Sequence, residues 1–250
     1  AWFFFTQDDS GGSNVIAVPQ GQAPPPGYVL FQRGDSKPFE WREMASVSKG
    51  RYAYDGVEVL DGKIYFVGGL NESGGLNLVE RYDPGTNQWE TLPPMKEARR
   101  GVATAVLGGK LYAIGGMGLG SVEIFDPQTN EWSFGPFLPA QVKFGTAIGI
   151  PEQDKIFLFG GLGSDNRALD QVLQLRLGES SPRWRLKTTM PTARNSVKLI
   201  KRKEEVWVIG GYDNSYSDKV EIFHFVPDSG SWEKAPSLGT PRDWPVAWLA

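Results

Sequence analysis

The 250-residue chain has no cysteine and one histidine, His224. The first absence removes disulfides, thiolate metal sites and cysteine nucleophiles together. The second leaves no imidazole or thiolate partners from which a zinc or copper centre could be assembled. No nucleophile elbow surrounds His224, and no glycine loop precedes a helix to cradle a phosphate, so no cofactor is implied. No apolar run approaches the ~18 residues of a membrane span, and no charged leader followed by an apolar region opens the chain. A soluble protein without membrane association is expected, with the cytoplasm as its compartment. The chain opens on Ala1-Trp2 rather than Met, which predicts a processed or excised segment whose flanking domains are out of view. A basic excess is missing too: the formal charge is −3, whereas a nucleic-acid binder carries a positive footprint. The one basic run, Lys201-Arg202-Lys203, falls between two strands of a hairpin and reads as a solvated turn.

What the chain does have is a repeat. In 99–132 an apolar run at 102–106 is joined by Gly108-Gly109 to a second at 111–114, which is a hairpin pattern. Gly115-Gly116 stops the second strand, 121–125 alternates as a third, 126–130 supplies turn residues, and Glu131-Trp132 opens a fourth. One repeat is therefore a four-stranded antiparallel meander. Copies overlay on the glycine pairs Gly68-Gly69, Gly115-Gly116, Gly160-Gly161 and Gly210-Gly211, each followed by one Trp: Trp89, Trp132, Trp184 and Trp232. The glycine-to-glycine steps are 47, 45 and 50 residues.

Four strands in a repeat of that length are the pattern of a propeller blade, and the placement of Gly-Gly, Tyr82-Asp83-Pro84 and Trp resembles the kelch repeat over residues 51–240. The ends of the chain complete one another. Residues 2–5 have the character of a second strand, 28–31 and Glu40-Trp41 resemble the third and fourth, and 10–27 reads as a Gly/Pro-rich loop with an extra strand at 14–18. The missing first strand has its counterpart at 241–249. The expected fold is an all-β, kelch-type β-propeller of five four-stranded blades in one domain, closed by the C-terminal strand completing the N-terminal blade. The blade boundaries are 241–250 plus 1–48, 49–97, 98–141, 142–192 and 193–240. Six blades are commoner in this family, so five is a departure.

Overlaying the blades puts a basic residue in the loop entering each first strand: Arg51, with a one-residue gap, Arg99, Lys143, Arg194 and Arg242. Fivefold repetition would ring the channel mouth with cations, joined by Arg100 and by Asn71, Tyr212, Asp213 and Asn214 from the loops after the glycine pairs. The alternative is that each Arg pairs with a neighbouring loop carboxylate or carbonyl and ties blades together. Asn71-Glu72-Ser73 forms a glycosylation sequon, relevant only to a secreted protein, and the loop 162–167 has too few carboxylates for calcium and reads as a turn.

The motifs at 80–84, 87–89 and 92–95 resemble the propellers of kelch-like ubiquitin-ligase adaptors, or F-box–kelch adaptors. The resemblance implies a non-enzymatic protein-binding module, monomeric as an isolated domain, that recruits an acidic peptide for a larger adaptor. A second reading is a metal-free sugar-processing enzyme resembling the sialic-acid epimerases, with Arg99 or Arg194 working alongside Asp213. A scaffold with no defined ligand is the third.

Overall fold

The computed structural model describes residues 2–7, 13–18, 44–48, 50–51, 56–214 and 221–236. It divides into two compact units. The smaller contains β1 (Trp2–Gln7) and β2 (Ser13–Val18), paired antiparallel from Trp2↔Val18 to Gln7↔Ser13. The extra strand expected at 14–18 is therefore the partner of the first strand and occupies one of its two edges.

The larger unit, Met44–Ala247, is built from four antiparallel meanders. Blade 1 has β3 (Val57–Leu60) and β4 (Lys63–Val67), then the small ribbon β5 (Leu70–Asn71) and β6 (Gly74–Gly75), then β7 (Val79–Asp83) and β8 (Gln88–Leu92). Blade 2 is β9 (Ala103–Leu107), β10 (Lys110–Ile114), β11 (Val122–Asp126) and β12 (Glu131–Phe134). Blade 3 is β13 (Thr146–Ile150), β14 (Lys155–Phe159), β15 (Gln171–Arg176) and β16 (Arg185–Thr189), with a 3₁₀ turn at Pro151–Gln153. Blade 4 is β17 (Lys198–Arg202), β18 (Glu205–Ile209), β19 (Ile222–Val226) and β20 (Ser231–Ala235). The described residues thus contain four complete blades where five were expected. For the fifth, 28–31, Trp41 and 241–250 lie outside the described residues, and 2–5 belong to β1.

First strands of successive blades lie side by side, β3 with β9, β9 with β13 and β13 with β17, which makes them the inner edge of the ring. Each meander is apolar on both faces of its middle strands, and neither face can be satisfied within one sheet. The core is accordingly three clusters between blades. Tyr65, Val67 and Leu92 meet Leu111, Phe125 and Trp132. Tyr112, Ile114 and Leu138 meet Ile156, Leu158 and Trp184. Phe157, Phe159 and Met190 meet Val206, Val208 and Phe225. No helix among the described residues is long and apolar enough to cross a membrane.

Two repeated contacts lock the blades together. The glycine pair reaches the loop entering the next blade: Gly69, Gly116 and Gly161 donate their N–H to the carbonyls of Arg99, Val142 and Arg194 at 2.9, 2.9 and 3.1 Å. A Cβ on Gly115 would stand 2.4 Å from the Val142 carbonyl oxygen, and its φ is +63°, so only glycine fits there. The indole of each Trp reaches back instead. Trp132 Nε1 donates to Pro93 O at 2.9 Å and Trp184 Nε1 to Pro136 O at 3.0 Å, each acceptor lying four residues after the Trp of the preceding blade. Trp89 Nε1 does the same to Ala45 O at 2.7 Å, four residues after Trp41 in the sequence. Trp232 Nε1 is enclosed without a partner.

Candidate functional site

The loops entering the first strands and the loops leaving the glycine pairs are bonded to one another at one end of the blades. Three of the predicted cations do not face it. Arg99 and Arg194 are 0% exposed. Arg99 is held by Glu123 at 3.1 Å and Glu97 at 2.9 Å, and donates to Gly115 O and Ser121 O at 2.6 and 3.0 Å. The Glu123 carboxylate also accepts the backbone N–H of Lys96 and Glu97. Burial works against the Arg99 charge, and Glu123 and then Glu97 work for it. Arg51 pairs with Glu80 at 2.8 Å, both side chains nearly enclosed. Arg194 donates to Gly210 O at 2.9 Å, lies 3.7 Å from Glu221 and packs over the Phe223 ring at 5.2 Å, because Phe223 occupies the position that Glu80 and Glu123 hold in blades 1 and 2. These arginines tie loop to sheet within the ring. Arg99, fully enclosed, is not placed to handle a sugar.

Lys143 belongs to a different set from Arg99. The residue whose carbonyl receives the glycine pair is Arg99, Val142 and Arg194, so Val142 is the blade 3 counterpart and is buried. Lys143 matches Arg100 and Asn195, one position further on. That position pairs with the residue after its own blade's glycines: Met117 N donates to Arg100 O at 2.8 Å, Lys143 and Leu162 exchange bonds at 3.1 and 2.7 Å, and Asn195 and Tyr212 exchange bonds at 2.9 and 3.0 Å.

Arg100 and Lys143, on adjacent blades, are the described members of the predicted set that remain half-exposed cations at the mouth. Between the loop after the blade 2 glycine pair and the loops of blade 3 lies a polar cavity of about 250 Å³ lined by Met117, Gln141, Lys143, Ser164 and Asn166 among others. Lys143 Nζ donates to Asn166 Oδ1. Arg100 Nη1 is 4.0 Å from Met117 Sδ, and its Nε is enclosed without a partner. Asp213 lies near Arg194 and favours its charge. Asn214 Oδ1 accepts the Ala168 N–H and so joins the blade 4 loop to blade 3. Asn71 sits apart in blade 1, its Oδ1 closing a turn on Ser73 N at 2.9 Å. Arg242 lies outside the described residues. The loop 162–167 is the expected turn, with Asp165 Oδ1 accepting Arg167 N at 3.0 Å.

The mouth has a feature that no sequence pattern announces. Gly101, Phe144 and Ser196 all take left-handed backbone, φ +62°, +54° and +52°, and form a chain around the ring: Phe144 N donates to Gly101 O at 2.8 Å and Ser196 N to Phe144 O at 2.9 Å. A bulky residue in that conformation is uncommon, and here the ring of Phe144 fills the space a Cβ on Gly101 would need. Deeper in the channel Glu58 of β3 faces Thr104 of β9. Burial pushes the Glu58 carboxyl up to about 7, opposed by the Thr104 hydrogen bond and the charge of Lys198. The lone histidine serves packing, its ring stacked on Trp207 at 4.0 Å.

Radial four-stranded blades, inner first strands and interblade cores define a β-propeller, here with a polar notch at one mouth. Its repeats are kelch repeats: residues 53–96, 98–136 and 203–239 match the family described as Kelch motif, which covers blades 1, 2 and 4, and the chain is a kelch-repeat propeller of the kelch-like family. It is 32% identical over 206 residues to mouse Kelch-like protein 35, covering 79% of this chain and 33% of that protein. It is 29% identical over 202 residues to zebrafish (Danio rerio) Kelch-like protein 26, covering 78% and 33%. The chain thus spans about one third of the length of these relatives. Among solved structures, "Structure of YjhT" superposes with a TM-score of 0.74 at 20% identity, over 85% of this chain and 78% of that one, a likeness of fold.

Proposed function

We propose that this propeller is a protein-recognition module, working in the cytoplasm as the substrate-recruiting part of a larger ubiquitin-ligase adaptor, and that it captures an acidic peptide segment at the channel mouth. The observation that carries the reading is the polar cavity between the loops of blades 2 and 3, lined by Lys143 and by Met117, with the half-exposed Arg100 bonded to Met117 at its edge. Backbone bonds fix the loops that carry both cations, so a docking carboxylate has the two side chains, and not the loops, to order. Hydrogen bonds to a charged group contribute about 1.5–3 kcal/mol each, and a cationic notch on a chain of net charge −3 is a local feature that steers an acidic segment to one place.

The test is retention of Glu/Asp-rich peptides on an immobilised array by wild-type protein and by the double variant Arg100→Ala, Lys143→Ala. The expected result is a loss of at least tenfold, with an unchanged melting temperature and wild-type binding that weakens as salt rises. Equal retention by the folded double variant would place the recognition site elsewhere.

A further inference from the structure

Blades 1 and 2 carry the same ion pair where the second strand starts and the third ends: Lys63 with Asp83 at 3.0 Å and Lys110 with Asp126 at 2.8 Å. Blade 3 breaks the rule. Lys155 stands in the lysine position, but its cross-strand partner is Arg176. Two like charges replace a neutral pair, at the end of the strands opposite the glycine-pair mouth.

A third cation joins them. The pairing of β15 with β16 shifts between Val172↔Thr188 and Leu173↔Leu186, so Lys187 is the extra residue of a β-bulge, a device that re-aims a side chain. Lys187 Nζ donates to the carbonyl oxygen of Asp228 in the turn of blade 4 at 2.7 Å, while Lys155 Nζ reaches the Asp228 carboxylate at 3.2 Å. Gly230 makes room for this: a Cβ there would lie 3.0 Å from Lys187 Cε. The matching turn residues in blades 1 and 2 are Asn87 and Asn130. Burial, then Lys155 and Arg176, holds the Lys187 ammonium below its ordinary value, and of the carboxylates only Asp228 pulls it back. The neighbouring acids Glu152 and Glu179 are engaged by Lys201 and Arg185.

We propose that Lys155, Arg176 and Lys187 form a site for one phosphate monoester, carried by a phosphoserine or phosphothreonine segment of a protein partner. Around Lys187 the charges of Lys155 and Arg176 are opposed by the Asp228 carboxylate, a local positive excess that a phosphomonoester of about −1.5 to −2 offsets. Arg176 is exposed and offers its fork to the phosphate oxygens, and the Asp228 carboxylate, 74% exposed, is free to swing aside. A membrane surface fits less well, because the chain is acidic and the cluster is bordered by carboxylates.

The experiment compares retention of the whole 250-residue chain on a degenerate peptide library with a fixed central phosphoserine and on its unphosphorylated counterpart. Wild-type protein should prefer the phosphorylated library by at least tenfold, and inorganic phosphate should compete. Arg176→Asp gives Lys155 the carboxylate that Lys63 and Lys110 already have. It should therefore fold at least as stably as wild type and lose the preference, and Lys187→Gln should weaken it. No preference in wild type, or the same preference in a folded Arg176→Asp, overturns the site. Binding to vesicles containing phosphoinositide without binding to the phosphopeptides, or stabilisation by inorganic phosphate alone, overturns the protein-borne source.

Discussion

Blades 2 and 3 share one interblade core and the same order of four strands, yet they use charge in different ways. In blade 2 the cations flanking the sheet are matched by acids of the same blade or its entry loop: Arg99 is enclosed by Glu97 and Glu123, and the exposed Lys110 pairs with Asp126, leaving Arg100 at the mouth. In blade 3 the buried position is Val142, the residue opposite it in the repeat is Leu173, and the polar side chains Lys143, Lys155, Arg176 and Lys187 look outward or into the next blade. A blade that meets its internal needs with apolar packing releases its charged residues for other tasks. The first strands differ as well: Glu58 and Thr104, which meet between blades 1 and 2, have Ala105 and Ala147 as their counterparts one blade further on.

The comparison can be broken most sharply at the arginine position. Arg99→Ala leaves Glu123 buried without its main counter-charge and should cost about 3–5 kcal/mol in urea unfolding. Val142→Ala at the matching place removes only two methyl groups and should cost about 1–2 kcal/mol. Comparable losses would mean that the Arg99 network is no more structural than its apolar replacement.

The Glu58 carboxyl predicts a pH dependence specific to the first interface. Its pKa is raised in the folded state to about 7, so between the unfolded value of ~4.3 and 7 the native state holds a proton that the unfolded chain has released. Stability from this group is fully present below pH ~4.3 and is lost as pH rises through about 7, by roughly 1–3 kcal/mol for a half-buried group. Glu58→Gln should flatten that part of the stability profile, measured by unfolding at pH 5 and pH 8. An unaltered slope would assign the dependence to other groups.

The smallest effect tests the indole contacts. Trp184→Phe removes a hydrogen bond and strands the Pro136 carbonyl, whereas Trp232→Phe removes an N–H that has no partner. The first should be more destabilising than the second by about 1 kcal/mol, read from the two melting transitions.

The glycine pairs and tryptophans were legible in the sequence because each is required by backbone geometry or by volume at one fixed place in every repeat. The strands at 102–106 and 111–114 fall within a residue of β9 and β10 for the same reason. The cations were less legible. Aligning by charge pairs Lys143 with Arg99, but the backbone bonds of the glycine pair put Val142 there, and charge alone does not distinguish a buried strut from a residue facing the mouth. Glu80 and Glu123 carry the missing signal, because an acid one step into the third strand gives the loop arginine a buried partner. The left-handed turn at Phe144 had no signal, since its conformation is imposed by neighbouring blades. The fifth blade stays a proposal. It is supported by the four-residue offset from Trp41 to the Ala45 carbonyl.

The indole contacts also bear on how such rings diversify. The acceptor is a main-chain oxygen, supplied by Ala45, Pro93 and Pro136 alike. The N–H of a tryptophan that grips backbone does not specify the side chain of its acceptor residue, so that position can change without loss of the hydrogen bond, even though the indole ring still packs in the interblade core. That tolerance lets a blade such as the third exchange its inherited ion pairs for new surface chemistry while the ring keeps its register. Evolutionary novelty in this architecture is thus expected to arrive one blade at a time.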